Sequence, residues 1–227
     1  MRVLAIDTAL EACAAALLDT ESGAIPAHES LPMRRGHAEA LMPLIKRVME
    51  RAALTFAELD RVAVTTGPGS FTGLRVGIAA ARGIGLAAGK PVVGLSTLAA
   101  FAAPFIAADD TLPVAAAIDA RHDQVYLQVF GPGGRTIVAP RLCSLREALR
   151  AAASGGPRLT GTAAAMLAAA WPKGEPPPSQ VDQRSAPDID WVARLGAAAN
   201  ETAAPPKPLY LRAPDAQPQN ASQLARR

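Results

Sequence analysis

One tripeptide stands twice in this chain at matching places: Ala5-Ile6-Asp7 and Ala117-Ile118-Asp119. Each closes a short apolar run, Val3 to Ile6 and Val114 to Ile118, of the kind that forms a buried strand. Polar residues follow, and then a second strand, roughly Ala12 to Leu18 in the first half and Val125 to Phe130 in the second. Turn-forming clusters end both, Asp19-Thr20-Glu21-Ser22-Gly23 and Gly131-Pro132-Gly133-Gly134. Three shared residues are a weak echo, but the shared strand–acid–strand order reads as an internal duplication. Asp109-Asp110-Thr111-Leu112-Pro113 is the natural joint. It divides the chain into an N-terminal lobe over 1–108, a C-terminal lobe over 109–212 and a polar, disordered tail over 213–227.

Helices and further strands follow each hairpin. Gly36 to Ala53 spaces Leu41, Ile45, Val48 and Ala52 along one helical face, with Pro43 either kinking the helix or setting its start. Arg61 to Thr66 is a strand, Gly67-Pro68-Gly69-Ser70 a turn, and Phe71 to Gly89 a helix; Val92 to Leu95 is another buried strand. In the second half Leu159-Thr160 leads through Gly161 into a helix over Thr162 to Trp171. The proline-rich run Lys173 to Ser179 is loop, Asp188 to Asn200 is helical, and Leu209-Tyr210-Leu211 is a final strand. Alternating strands and helices in two related halves imply an α/β fold: a two-lobed, duplicated architecture of the actin, Hsp70 and sugar-kinase kind, with mixed sheets flanked by helices and a cleft between the lobes.

Composition excludes several function classes. The formal charge is +3, and the basic residues are scattered, so no clustered cation patch marks a strong nucleic-acid binder. Cys13 and Cys143 stand in apolar surroundings and read as small buried hydrophobes rather than a disulfide. The uncharged stretch Pro91 to Ala108 is long enough for a membrane span, but Pro91, Gly94 and Pro104 break it into a strand and a short helix. Asp7 comes too early for a signal peptide. A cytoplasmic chain with no membrane contact is expected.

The most unusual segment is the helix from Phe71. Gly73, Gly77, Ala81, Gly85 and Gly89 recur every four residues and form one small-residue stripe. Each interior glycine costs about 1 kcal/mol relative to alanine, so close approach of another backbone must compensate. Two readings stay open from the residues alone: the stripe faces this chain's own sheet, or it meets a helix of another subunit.

Thr65-Thr66-Gly67-Pro68-Gly69-Ser70-Phe71-Thr72-Gly73-Leu74-Arg75-Val76-Gly77 resembles the signature of the bacterial TsaB (YeaZ) family. Ala5-Ile6-Asp7-Thr8, His37-Ala38-Glu39 before Leu41-Met42-Pro43-Leu44-Ile45, Asp119-Ala120-Arg121 before Val125-Tyr126, and Pro208-Leu209-Tyr210-Leu211-Arg212 extend the match in order along the chain; the stretch from Gly134 to Pro206 is weakly marked. The resemblance implies a non-catalytic subunit that pairs with the related TsaD-type catalytic subunit. With a TsaE-type ATPase, that complex transfers a threonylcarbamoyl group to the adenosine next to the anticodon of certain tRNAs. It further implies a homodimer when alone, only indirect contact with tRNA, and a subunit interface on the first two helices. Carried onto this sequence, that interface is His37, Leu41, Ile45, Val48, Gly73, Leu74, Gly77, Ala81 and Gly85. On this reading Gly77→Leu breaks dimers and spares the fold.

No catalytic residue is expected. The catalytic sibling carries a metal-binding His-xxx-His after the corresponding helix, and the matching positions here are Thr97 and Phe101, which cannot form that pair. Only His28, His37 and His122 are present, no two at ligand spacing, and neither His-Glu-x-x-His nor Gly-x-Ser-x-Gly occurs. The alternative is a small ATP-binding ATPase or kinase-like protein of the same fold, using Asp7, Thr8, Gly67, Gly69 and Asp119 around a nucleotide or other anion. The turn Asp7 to Ala12 has no glycine to admit phosphates, and Glu11 repels them, so Asp7 reads better as a local cap. No cofactor is expected to bind tightly; ATP or ADP with magnesium fits only at the interface of the complex.

Overall fold

The computed structural model describes residues 1–212. The expected disordered tail lies outside the described residues. Strands β1 (Arg2–Asp7), β2 (Ala12–Asp19), β3 (Ala27–Pro32), β4 (Arg61–Gly67) and β5 (Val92–Ser96) form one sheet in the order β3-β2-β1-β4-β5. Strands β6 (Val114–Asp119), β7 (Gln124–Phe130), β8 (Thr136–Ser144), β9 (Arg158–Gly161) and β10 (Gln180–Gln183) form a second sheet in the order β10-β9-β6-β7-β8. Read from the other edge, this is the same arrangement. Each sheet has an antiparallel three-stranded meander with two parallel strands added beside its first strand. The duplicated, mixed-sheet, two-lobed architecture expected from the echo is therefore the observed one.

Helices α1 (His37–Arg51) and α2 (Phe71–Ala88) cover one face of the first sheet, where Leu41, Leu44, Ile45, Val48, Leu74 and Ile78 meet Leu4, Ile6, Leu17, Val62 and Val64. Helices α4 (Leu145–Ala152) and α5 (Ala164–Ala169) cover the corresponding face of the second. The remaining two helices are exchanged. From α3 (Thr97–Ala108), which follows the first sheet in sequence, Leu98, Phe101 and Phe105 pack on Val114, Ala116 and Ile118 of the second. From α6 (Ile189–Ala198), which follows the second, Ile189, Val192 and Ala193 pack on Val3, Ala5, Ala14 and Ala16 of the first.

An arginine fastens each exchanged helix. Arg61, the first residue of β4, donates to the carbonyls of Gly196, Ala197 and Ala199 at the C-terminal end of α6, at 2.9, 3.1 and 2.9 Å. Arg158, the first residue of β9, donates to the carbonyls of Phe105, Asp109 and Leu112 at the end of α3, at 2.8, 2.5 and 2.9 Å. The last carbonyls of a helix have no partner within it, and a cation there also meets the negative end of its dipole. The duplication thus extends to these two arginines, which occupy equivalent strands.

Two expectations are corrected. Leu209-Tyr210-Leu211 is not a strand; it belongs to an extended strap over 204–212, where Pro205, Pro206 and Pro208 lack the N–H groups a ladder needs. Pro43 does not set the start of α1, which begins at His37 and runs through it. Among the described residues no helix is long and apolar enough to cross a membrane.

Candidate functional site

The turn Asp7-Thr8-Ala9 and the segment Gly67 to Gly77 are built against each other. Ser70 caps α2 by accepting from the Gly73 N–H at 3.3 Å, and its own N–H donates to the Ala9 carbonyl at 2.7 Å. The Thr8 hydroxyl donates to the Gly73 carbonyl at 2.7 Å inside the core. A Cβ at Gly69 would collide with the Ala9 carbonyl, at Gly73 with the Thr8 carbonyl, and at Gly77 with the Thr8 hydroxyl. One turn beyond Ala81, a Cβ at Gly85 would collide with Val92 and lie 2.9 Å from the Lys90 carbonyl.

These contacts decide between the two readings of the glycine stripe. Gly73, Leu74, Gly77, Ala81 and Gly85 are buried against the chain's own β1–β2 turn and sheet, and Leu41, Ile45 and Val48 are buried in the same core. These residues are spent on the chain's own core, so any contact the two helices make with another molecule runs over their outer face. His37 is also turned inward: its Nε2–H donates to the Leu10 carbonyl at 3.1 Å, which ties α1 to the β1–β2 turn.

The same contacts correct the anion-binding expectation for Asp7, Thr8, Gly67 and Gly69. The Ser70 and Gly73 amides at the start of α2 are spent on the Ala9 carbonyl and the Ser70 hydroxyl, and Gly67 lies under the strap, with the Leu209 carbonyl 3.0 Å from where its Cβ would be. Asp7 is completely buried; its Oδ1 accepts from Thr65 Oγ1 and, at 3.1 Å, from the Ala9 N–H, while Oδ2 has no partner among the described residues. Loss of hydration pushes its pKa up from the ordinary aspartate value, outweighing the hydrogen bonds from Thr65 and Ala9 that favour the anion. Asp119 keeps to its own lobe, exposed, with its carboxylate accepting from the Arg121 N–H at 2.7 Å. A cavity of about 630 Å³ lies elsewhere, between β3 and the segment 183–189. Thr97 and Phe101 are both buried at the start of α3, and Cys13 is a buried thiol whose pKa burial pushes up to about 11.

What sequence reasoning missed is the opposite face of α2. Leu86 is 87% exposed and Met42 of α1 is 48% exposed. Beside them Met42, Phe56, Ala80, Gly83, Ile84 and Ala87 line an apolar groove of about 470 Å³ between the two helices. Contiguous exposed apolar surface of this kind marks a contact with another molecule more often than an isolated exposed side chain does. The signal was present in the sequence as Gly83 and Leu86, which fall off the four-residue stripe.

Comparison with known proteins places this geometry. The family described as TsaD, tRNA N6-adenosine threonylcarbamoyltransferase, matches residues 19–186. The tRNA threonylcarbamoyladenosine biosynthesis protein TsaB of Escherichia coli (strain K12) is 40% identical over 126 residues, covering 56% of this chain and 53% of that protein. An uncharacterised protein of Mycobacterium tuberculosis (strain H37Rv) is 40% identical over 222 residues, covering 95% of this chain and 94% of its own. The solved structure of YeaZ from Pseudomonas aeruginosa superposes with a TM-score of 0.76 at 26% identity, covering 92% of this chain and 99% of that one.

Proposed function

The chain belongs to the TsaB (YeaZ) family within the broader TsaD group, and from that premise we propose that it serves N6-threonylcarbamoyladenosine biosynthesis on tRNA as a non-catalytic subunit docked on a TsaD-type catalytic protein. The observation that carries the docking role is the apolar groove between α1 and α2, flanked by the fully presented Leu86. A groove of small residues beside a large exposed one suits helix-on-helix packing, in which ridges of one helix enter grooves of the next. A related TsaD-type subunit would present two helices of its own. When alone, a second copy of this chain occupies the same face as a homodimer.

The non-catalytic assignment is supported by what has become of the carboxylate at the end of β1. Asp7 is sealed behind Ala9 and Thr65, with no open path to a substrate. ATP or ADP with magnesium, and the TsaE-type ATPase, belong to the assembled complex in the cytoplasm rather than to this chain alone.

Size exclusion with light scattering tests the reading, first with this chain alone and then with the TsaD-type protein of the same organism. A one-to-one complex that replaces the homodimer is expected, and Leu86→Glu should weaken it about thirtyfold or more. No complex under any nucleotide condition would remove the partner role. In that event titration with ATP and magnesium would test the kinase-like alternative.

A further inference from the structure

The chain has nine aromatic residues, and only two of them, Phe71 at 50% and Tyr210 at 45%, are strongly exposed. They are neighbours. Phe71 opens α2 and Tyr210 rides on the strap; their ring centroids are 5.3 Å apart with planes 30° from parallel. Arg75, one turn along α2, holds its guanidinium carbon 3.9 Å from the Phe71 centroid and donates from Nε to the Tyr210 hydroxyl at 3.2 Å. The two Nη groups of Arg75 have no partner among the described residues, and no carboxylate pairs with it there.

Packing alone does not account for the trio. A clamp for the strap already exists in two backbone hydrogen bonds, Gly94 N–H to the Ala204 carbonyl and Leu209 N–H to the Thr66 carbonyl, both 2.8 Å, so aromatic faces and an arginine are not needed to hold it. The charge around them is one-sided. Arg75 and Arg82 are the only charged residues in α2, both exposed, and the helix contains no acid. Just beyond Tyr210, Arg212 reaches across to the Gln124 side chain at 2.6 Å, so the cationic surface continues onto the second lobe.

We propose that Phe71, Tyr210 and Arg75 form a stacking platform for an unpaired RNA base, with the Arg75 Nη groups and Arg82 meeting its flanking phosphates. The choice of RNA rests on the tRNA-modification reading. It replaces the indirect contact with tRNA expected from sequence. Exposed aromatic faces beside guanidinium groups are how proteins hold single-stranded RNA, because every base offers a π-face and every linkage a charge. The platform is at the opposite end of α2 from the apolar groove. Phe71 and Leu86 are separated by about 22 Å at the helical rise, so a protein partner and an RNA strand can be held together.

Fluorescence anisotropy tests the proposal, using the full chain with a labelled oligouridine of about ten nucleotides and with bulk tRNA of the same organism. Binding that weakens as salt rises is expected. Tyr210→Ala and Phe71→Ala should each weaken it about tenfold, while Tyr210→Phe retains it. Arg75→Ala should weaken it and lower the salt slope by about one phosphate contact. Circular dichroism establishes that each variant is folded.

Wild-type chain that fails to bind either RNA at low salt overturns the proposal, as does equal binding by folded variants. Variants that leave RNA binding unchanged but weaken the complex with the TsaD-type protein also overturn it, by making the platform a protein contact. Co-elution with that partner but no RNA binding sinks this inference alone. RNA binding without co-elution sinks the partner role and leaves the platform standing.

Discussion

The two faces of α2 carry different kinds of surface. The inner face is a run of missing side chains, Gly73, Gly77 and Gly85, each placed where the chain's own backbone or a neighbouring side chain leaves no room for a methyl group. The outer face carries Phe71, Arg75, Arg82 and Leu86, groups that reach away from any neighbour in the sheet. A four-residue period in small residues tells that something comes close, but not what comes close. Here the visitor is the Thr8 turn of the same chain. The surface offered to other molecules is marked by large residues that stay exposed on the side away from the sheet.

The largest effect should come from breaking the inner face. Gly77→Leu places a branched side chain where the Thr8 hydroxyl stands, and overpacking with loss of a buried hydrogen bond should cost at least about 4 kcal/mol. Denaturant unfolding should find little folded protein. A variant that folds with an unchanged midpoint and loses only its partner would restore the stripe as an interface.

Next comes the outer face. Leu86→Glu should weaken assembly about thirtyfold or more, as a central hot-spot loss does. It should leave stability within about 0.5 kcal/mol, because the side chain is not buried in the free chain. A drop in thermal midpoint of many degrees would place Leu86 with the inner face instead.

Thr8→Val sharpens the contrast more gently. It keeps the shape that fills the space beside Gly77 and removes the Thr8 donor to the Gly73 carbonyl, which keeps only its bond within the helix, at a cost of about 0.5–1.5 kcal/mol. Unchanged stability would mean that shape alone joins the turn to α2.

The smallest effect is a pH dependence. Burial raises the pKa of Asp7 above its ordinary 3.8, so the folded state favours the protonated form. The stability this contributes is complete below the ordinary value and is lost as pH rises through the raised one. Thermal midpoints of Asp7→Asn and wild type, compared across pH, should therefore diverge increasingly in favour of the variant as pH rises. A gap that stays constant would show that Asp7 does not titrate in this range.

Much of the fold was legible because duplication and apolar runs are local signals. The hairpin strands, the Gly-Pro-Gly turn and the length of α2 all follow from residues near one another. The misses have physical causes. The edge strand β3, Ala-His-Glu-Ser-Leu-Pro, alternates buried and exposed positions around charged residues, and its pairing is supplied by β2. The short β10, Gln-Val-Asp-Gln, is held in the same way by β9. Helix α4 had a readable start, since Ser144 and Glu147 form a reciprocal capping box. Of the site, the close approach at the stripe was legible and its direction was not, because periodicity names a face and tertiary packing names its neighbour.

The exchanged helices decide the order in which the molecule can be completed during synthesis. A ribosome that has made the whole first sheet has not made its cover, because Val3, Ala5, Ala14 and Ala16 are closed off by α6, the last helix in the described chain. The first half therefore waits, one side of its sheet still wet, until the second half has been translated, and Arg61 can fasten only after Gly196 to Ala199 arrive. Cutting the gene at the joint would give two fragments that each lack a wall, not two small proteins. The ancestral repeat has become a single indivisible unit.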